Sequence, residues 1–303
     1  MAYEMLGVLV HPGALAVRTE AVAVGVRRVV ARGRRLEVHM AARRRPDRRT
    51  ALQRQADIRA GRGRVEPAPR RLLPDRDEGM DLRLGWLTGA DHADWAFPQQ
   101  WSDGESYEAV YEVPAGGDLV LAWPELGVPE TVVAVQVPAD LADVPVWDAP
   151  VAAGTVPGGL RHAATAAPSY PLLNQVSGEL GQAVAGPMVL HRARQSVVVL
   201  EHLTVTRYGL QFGVLSRDIS SSAAWSEGAS LALVRGGVAE ELVSVAGTSS
   251  AGRDDVEHQA EYVAPLPAGG TLDLLVSWPA GGLEPVLVRV PVPDSVESES
   301  FWP

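Results

Sequence analysis

The sequence of 303 residues contains no cysteine and no lysine, and both absences limit its chemistry. Without cysteine the chain can form neither a disulfide scaffold nor a thiolate metal site, which fits a reducing compartment. A covalent nucleophile would have to be serine, threonine or a carboxylate. Gly-x-Ser-x-Gly, His-Glu-x-x-His and Gly-Lys-Ser/Thr motifs are also missing. We therefore expect neither an enzyme nor a bound cofactor.

Long hydrophobic runs are missing as well. No stretch reaches the roughly 18 uninterrupted apolar residues that a membrane-spanning helix needs. The first ten residues lack the basic region and the apolar run of a secretory signal. The sequence therefore predicts no membrane span and a cytoplasmic location.

Because lysine is absent, arginine supplies all 27 of the strongly basic side chains, and these arginines are unevenly distributed. Residues 1–83 hold 19 of the 27 arginines and 10 of the 37 acidic residues, a net charge of +9. The remainder has a net charge of −19, which gives −10 for the whole chain. The two parts of the chain therefore differ strongly in charge, and the difference requires an explanation.

One stretch of the chain occurs twice. Trp123-Pro124-Glu125-Leu126-Gly127-Val128 is matched by Trp278-Pro279-Ala280-Gly281-Gly282-Leu283. Each copy follows a Pro-Ala-Gly-Gly turn and an apolar strand, and each continues into a β-branched strand. We therefore interpret the chain as two copies of one β-rich module, with both tryptophans in the core.

Alternating apolar residues support this interpretation. Leu36, Val38 and Met40 alternate as in a half-buried strand, with Glu37 and His39 facing water. The second copy repeats the alternation at Leu210, Phe212 and Val214. Short strands separated by turns are typical of all-β proteins. The predicted fold is two tandem immunoglobulin- or fibronectin-like β-sandwiches.

The predicted boundaries follow the composition of the chain. The first sandwich covers residues 1–141 and includes an arginine-rich insertion at 41–78. Residues 142–190, rich in Pro, Ala and Gly, form a semi-rigid linker, or dock on a module through Leu172, Leu173 and Leu180. The second sandwich covers residues 191–303 and ends in an acidic tail.

The repeated Trp-Pro-x-x-Gly-[Val/Leu] element, with the strands around it, resembles a group of uncharacterised proteins from high-GC actinobacteria. The resemblance covers the closing part of each copy. It implies an intracellular β-sandwich protein and transfers no site residues. The first copy departs from the second by the arginine-rich insertion.

Two histidines are weak candidates for metal binding. His92 lies between Asp91 and Asp94, and His258 follows Asp254-Asp255, before the tyrosine-bearing strand in each copy. No further ligand occurs nearby at a fixed spacing, so a polar surface loop is the favoured interpretation and no metal is predicted.

The arginine-rich insertion is a candidate binding segment. Arg59, Arg62 and Arg64 could contact nucleic-acid phosphates by charge alone. The segment has no aromatic residue to stack on bases, and the whole protein is acidic. A solvated loop, a coding artefact and a charged protein contact are the other interpretations, and nucleic acid is the least favoured partner.

Two groups of aromatic residues are candidate contact sites. Trp95, Phe97 and Trp101 could form a platform for a sugar or peptide, although a plug for the open end of the sandwich is favoured. Phe301 and Trp302 form a short motif that docks on a partner or on the protein itself.

Duplication without a catalytic motif favours a non-catalytic protein-interaction or scaffold function, with a protein partner. The alternative is a small-ligand or carbohydrate-binding module. A metal-dependent hydrolase at His92 and His258 is a third, weaker hypothesis.

Overall fold

The computed structural model describes residues 5–45, 82–89, 93–102, 106–138, 144–163, 170–220, 228–252, 255–293, 296 and 299–302. The described part of the chain is built almost entirely of β-strands, with one α-helix. The prediction of an all-β protein is therefore confirmed.

The chain divides into two compact units. The N-terminal module consists of Val10–Leu141 and Glu299–Pro303, and the C-terminal module consists of Met1–Leu9 and Ala142–Ser298. Each module thus includes a short segment from the opposite end of the sequence.

Two sheets form the N-terminal module. The larger has the strand order β2-β4-β5-β9-β8, with β3 also on β4, and the smaller has the order β11-β10-β6-β7. The strands are β2 (Val8–His11), β3 (Ala14–Arg18), β4 (Val22–Arg32), β5 (Arg35–Arg44), β6 (Arg83–Leu87), β7 (Ala93–Ala96), β8 (Pro98–Ser102), β9 (Ser106–Pro114), β10 (Leu119–Trp123) and β11 (Val128–Val133).

Two sheets with the same connections form the C-terminal module. The larger has the order β15-β17-β18-β22-β21, with β16 on β17, and the smaller contains β24-β23-β19-β20. The strands are β15 (Gln182–Ala185), β16 (Met188–Arg192), β17 (Ser196–Val205), β18 (Leu210–Asp218), β19 (Ser230–Arg235), β20 (Val238–Glu241), β21 (Ala246–Ala251), β22 (Val256–Ala264), β23 (Thr271–Trp278) and β24 (Leu283–Pro291).

The two modules therefore match strand for strand, from β2–β11 to β15–β24. Even the irregularity of the first long hairpin recurs, because the register shifts between Val26 and Arg28 in β4 and between Leu200 and His202 in β17. A bulge at the same place in two ladders is a feature of the fold rather than a local accident.

The repeated tryptophan turn has the same conformation in both copies. Trp123 has φ −141° and ψ 71°, and Trp278 has φ −147° and ψ 77°. Each precedes a 3₁₀ turn that begins with proline and ends at a left-handed glycine, Gly127 with φ 71° and Gly282 with φ 69°. Glycine is preferred there because a Cβ disfavours this region. Both tryptophans are buried, as predicted.

The alternating residues of β5 and β18 form the centre of each core. Leu36, Val38 and Met40 are at most 1% exposed, and Leu210, Phe212 and Val214 at most 2%. They pack with residues of the smaller sheet, which places the core of each module between its two sheets. The predicted inward face of these strands is therefore confirmed.

The opposite face of β5 differs from the prediction that Glu37 and His39 face water. Their side chains are only 21% and 15% exposed, and His39 Nε2 lies 2.5 Å from Glu37 Oε1. Arg32 Nε lies 3.2 Å from the other carboxylate oxygen. Burial alone would raise the pKa of Glu37, but the hydrogen bond to His39 and the charges of His39, Arg32 and Arg28 outweigh it and hold that pKa well below its usual range.

Because the pKa of Glu37 is lower in the folded than in the unfolded chain, its carboxylate stabilises the fold above the ordinary pKa. We expect Glu37→Gln to reduce the free energy of unfolding by about 1.5–3 kcal/mol at pH 7. The difference should shrink by about 1.4 kcal/mol for each pH unit below about 4.5, as the unfolded wild-type chain takes up the proton. Chemical denaturation between pH 7 and pH 3 measures this.

Glu112→Gln is the matched control, because Glu112 pairs with Arg35 at 2.7 Å while its side chain is 47% exposed. An exposed pair contributes little. A Glu37→Gln deficit that stayed constant with pH would contradict the ionic role of Glu37.

Residues 142–190 were predicted to be a linker, and their described part belongs to the C-terminal module. β13 (Ala153–Gly154) pairs with β24, and β14 (Arg161–Ala163) pairs with β20, so both edges of the smaller sheet are extended. β12 (Val144–Pro145) pairs with β1 (Met5–Leu6).

The same segment covers the outer faces of the C-terminal module. Val146 and Ala149 pack on Val197, Val199 and Leu215, while Val156 and Leu160 pack on the smaller sheet. Helix α1 (Tyr170–Ser177) brings Leu172 next to Gly209, and Leu180 is 1% exposed. The docking alternative therefore describes this segment better than a free linker.

Candidate functional site

A row of three residues forms the base of the candidate site, on the outer face of the larger N-terminal sheet. Arg18 of β3 pairs with Ala23 of β4, and Ala23 pairs with Arg43 of β5. Directly paired residues of antiparallel strands point to the same side of the sheet. The row therefore places two guanidinium groups on either side of a small, fully buried alanine.

The end of the chain lies on this row. Phe301 is 0% exposed, and the guanidinium carbon of Arg43 lies 5.4 Å from the centre of its ring. That distance is within the range of a cation–π contact. Arg18 donates from Nε to the Phe301 carbonyl at 2.9 Å and from a terminal nitrogen to the Ser300 carbonyl at 2.8 Å. We call this arrangement of Leu15, Arg18, Ala23, Arg43 and Arg45 the tail site.

Two further contacts fix the residues on either side of Phe301. The carboxylate of Glu299 accepts the backbone N–H of Leu15 at 2.8 Å. The guanidinium of Arg45 lies 6.0 Å from the ring centre of Trp302. Ser300 donates its hydroxyl to the Trp302 carbonyl at 2.6 Å, which holds the end of the segment in shape. The tail site thus contacts four consecutive residues, 299–302.

Glu108 of β9 orients the arginine that covers Phe301. Its Oε1 accepts from Arg43 at 2.6 Å and from Arg27 at 3.1 Å. Arg43 also donates to the Ala42 carbonyl at 3.0 Å, and its side chain is only 13% exposed. Because both terminal nitrogens of the Arg43 guanidinium are already hydrogen-bonded, the side chain loses little conformational entropy when a ligand binds, which favours affinity.

The chemistry of the tail site is that of peptide recognition. One arginine donates to two main-chain carbonyls, a second lies over a buried aromatic anchor, and a main-chain N–H donates to a carboxylate. Charge assistance strengthens each hydrogen bond that a guanidinium or a carboxylate makes. The predicted Phe301–Trp302 motif therefore docks on the protein's own N-terminal module.

The other aromatic candidates lie at the edges of the N-terminal sheets. Trp95 is on β7, Trp101 is on β8, and Phe97 lies between these strands. Phe97 is 66% exposed and its ring centre is 4.6 Å from that of half-buried Trp95. Trp95 packs on Val120 and Ala122, outside the main core. The favoured plug interpretation is therefore wrong for Phe97 and Trp95, and the side chain of Trp101 is outside the described residues.

The basic and metal candidates give no assembled site in the described residues. Arg59, Arg62, Arg64 and His92 lie outside that part of the chain, and Asp94 is exposed on β7. Within the described ranges no group of three or more His, Cys, Asp or Glu residues could hold a metal ion.

His258 occupies a core position. It is 8% exposed, its Nδ1 lies 2.8 Å from Ser249 Oγ, and its ring meets Trp278 edge-on at 6.3 Å. Burial lowers the pKa of His258, which favours the neutral ring. The equivalent residue of the first module is Tyr107, which meets Trp123 at 5.1 Å. His258 thus replaces a core aromatic residue.

Sequence reasoning missed the receptor half of the tail site. Arg18, Arg43 and Glu108 are ordinary charged positions in the sequence, and Arg18 is 283 residues from Phe301. The available signal was the charge asymmetry, because an acidic tail that ends in aromatics matches a basic first module.

Comparisons with known proteins assign no family. No family model matches the chain, and no curated protein matches it either. A solved structure described as the crystal structure of the conserved domain protein from Bacillus anthracis aligns at 8% identity, over 97% of this chain and 93% of that chain, with a TM-score of 0.23. A TM-score of 0.23 does not indicate a shared fold. The one α-helix of the described ranges is too short to span a bilayer.

Proposed function

We propose that this chain is a non-catalytic protein-interaction protein whose N-terminal module binds short, acidic polypeptide segments with an aromatic anchor. The single observation that carries the proposal is the chain's own tail in the tail site, with Phe301 fully buried. The tail is the resident occupant, and a partner protein would present an equivalent segment.

The contacts of the tail suit recognition of a partner. Arg18 binds main-chain carbonyls, which every polypeptide has, so it supplies affinity without requiring particular side chains. Phe301 and Glu299 supply the specificity, through burial and through charge. A buried aromatic anchor with a polar rim is the usual composition of an interaction hot spot.

We also propose that both modules are immunoglobulin- or fibronectin-like. The order β4-β5-β9-β8 opposite β11-β10-β6-β7 corresponds to an A-B-E-D sheet facing G-F-C with one added strand, which supports the assignment. Domains of this kind often serve in protein binding, which is an argument by analogy. A cytoplasmic location is part of the proposal, in keeping with the absence of cysteine.

The test is to remove the tail from the chain and to supply it as a separate peptide. A chain ending at Ser298 should bind a fluorescent peptide of residues 294–303 saturably. The complete chain should bind it far more weakly, because its own tail competes at an effective concentration in the millimolar range. Fluorescence anisotropy measures both affinities.

A scrambled peptide and the Arg18→Gln chain ending at Ser298 are the controls for this test. Both should bind weakly, because the scrambled peptide misplaces the Phe301 anchor and Arg18→Gln removes the donor to the two carbonyls. No binding of the tail peptide to the folded, shortened chain would contradict the proposed function.

A carbohydrate- or small-ligand-binding module remains a second candidate, because Phe97 is 66% exposed beside Trp95. Aromatic pairs of this kind stack on sugar rings. Tryptophan fluorescence against a glycan panel, with Phe97→Ala as the control, distinguishes this function. A glycan that shifts the wild-type spectrum but not the variant's would favour it.

A further inference from the structure

We propose that two copies of this chain associate through β21, antiparallel and with a two-fold axis at Ser249, which joins their larger C-terminal sheets. The inference uses a different module and a different surface from the tail site, so the two proposals stand or fall separately.

Among the residues that the structure describes, nothing covers β21, which is a sheet edge. It is the last strand of the order β15-β17-β18-β22-β21, and all six of its residues, Ala246–Ala251, are exposed. In the smaller sheet of the same module, β13 and β14 cover the two edges. The C-terminal module therefore protects the edges of one sheet and leaves β21 of the other available.

The sequence of β21 lacks the charged residues and the proline that normally protect an edge. Proteins prevent edge pairing with charged residues, proline, bulges or short strands. Ala-Gly-Thr-Ser-Ser-Ala contains no charge and no proline over six residues. Its counterpart in the first module, β8, begins with Pro98, and the edge strand β11 carries Pro129 and Glu130.

The backbone of β21 determines which groups face outward. Gly252 donates its N–H to the Asp255 carbonyl at 2.8 Å, just beyond the end of the ladder with β22. Hydrogen-bonded pairs alternate along an antiparallel ladder. The alternate residues Gly247, Ser249 and Ala251 therefore direct their N–H and C=O groups away from β22.

These outward groups fix how a second copy can pair. Antiparallel pairing requires outward residues to meet outward residues, which a two-fold axis at Ser249 satisfies. Gly247 then meets Ala251 of the other copy, and Thr248 meets Ser250. Every pair joins two small, uncharged residues, and Thr–Ser pairs are favourable across strands.

The absence of charge on β21 permits a second copy as the occupant. The chain carries a net charge of −10, so two copies repel each other unless the contact itself is neutral, as β21 is. A six-residue edge buries less than the roughly 1,200 Å² of a standard interface, which gives a weak dimer. We expect a Kd in the micromolar range, which tightens as salt screens the repulsion.

Charge substitutions on the complete chain test the pairing. Thr248→Lys with Ser250→Lys sets lysines opposite each other twice, and sedimentation velocity should show a dimer at least about tenfold weaker. Thr248→Glu with Ser250→Lys sets opposite charges against each other and should restore or tighten the dimer. The two variants differ only at position 248, so each controls for the folding of the other.

Cysteine substitution tests the axis directly, because the chain has no cysteine of its own. Ser249→Cys should form an intermolecular disulfide under mild oxidation, since paired Cα atoms lie about 5.5 Å apart. Ala246→Cys, equally exposed, should not, because it lies three residues from the axis and about 20 Å from its copy along the strand.

A wild-type chain that is monomeric at several hundred micromolar overturns the proposal, whatever other strand the edge accepts. A dimer that the two lysines leave unchanged, or a failure of the Glu/Lys variant to recover it, also overturns it. None of these results bears on the tail site, because Phe301 and Arg18 are untouched.

Discussion

Replacing Phe301 with alanine in the tail peptide should weaken its binding to the chain ending at Ser298 by about 30- to 1000-fold, the loss that a central aromatic hot spot gives. Phe301 is 0% exposed, so its whole ring leaves water on binding. The alanine peptide also loses the contact with Arg43, whose charge remains partly buried beside Glu108. Titration by fluorescence anisotropy measures the ratio.

Trp302→Ala is the matched control within the same peptide. Trp302 is only half-buried and contacts Arg45 at 6.0 Å, so its loss should weaken binding about two- to fivefold. Equal effects at the two positions would contradict the assignment of Phe301 as the anchor. The Arg43→Met substitution in the shortened chain should weaken the binding of the wild-type peptide by a larger factor than the binding of the Phe301→Ala peptide. The reason is that Arg43 and Phe301 act through one contact.

Trp278→Ala should lower the free energy of unfolding of the C-terminal module by about 3–5 kcal/mol, the range for truncating a buried aromatic residue. Trp278 is 2% exposed and packs in the centre of the module's core. Its ring also lies directly over Gly281, where a Cβ would come within 2.6 Å of the indole. The rigid turn cannot collapse into the space that alanine leaves, so the cavity persists.

Denaturant unfolding followed by circular dichroism measures the loss, with Leu266→Ala as the control. Leu266 is 41% exposed and should change stability by less than about 0.5 kcal/mol. A Trp278→Ala deficit below about 1 kcal/mol would mean that the tryptophan turn is not a structural centre of the module.

The sequence predicts the strands in which apolar and polar residues alternate and the turns that require proline or glycine. Leu36 and Leu210 each begin a period-two pattern whose inward face the structure confirms. The tryptophan turn was visible because proline and a left-handed glycine leave few choices at fixed spacing.

The outer faces of the sheets were not predictable, because alternation identifies a face and not what covers it. Glu37 and His39 alternate outward, yet their side chains are largely buried and hydrogen-bonded to each other. The short strands within residues 144–163 could not be predicted for a related reason. These strands are two or three residues long, too short to show a period, and the Pro, Ala and Gly content of the segment is shared by loops and by edge-covering segments.

Only half of the tail site could be seen in the sequence. A terminal Phe-Trp pair attracts notice because bulky aromatics are rare in acidic tails. Its receptor consists of residues from different strands that meet only when the sheet forms, so no local spacing marks Arg18 or Arg43.

The strand-for-strand match of the modules shows which positions the shared architecture constrains. Two modules with one backbone conformation share the residues that this conformation requires. Both modules contain the Trp-Pro pair and the left-handed glycine. Both also contain a buried tyrosine on equivalent strands, Tyr111 on β9 and Tyr262 on β22. Tyr107 corresponds to His258, and Arg192, the counterpart of Arg18, likewise donates to two main-chain carbonyls, those of Val146 and Ala149, at 3.0 Å. Positions that agree between the two modules thus mark what the shared architecture requires.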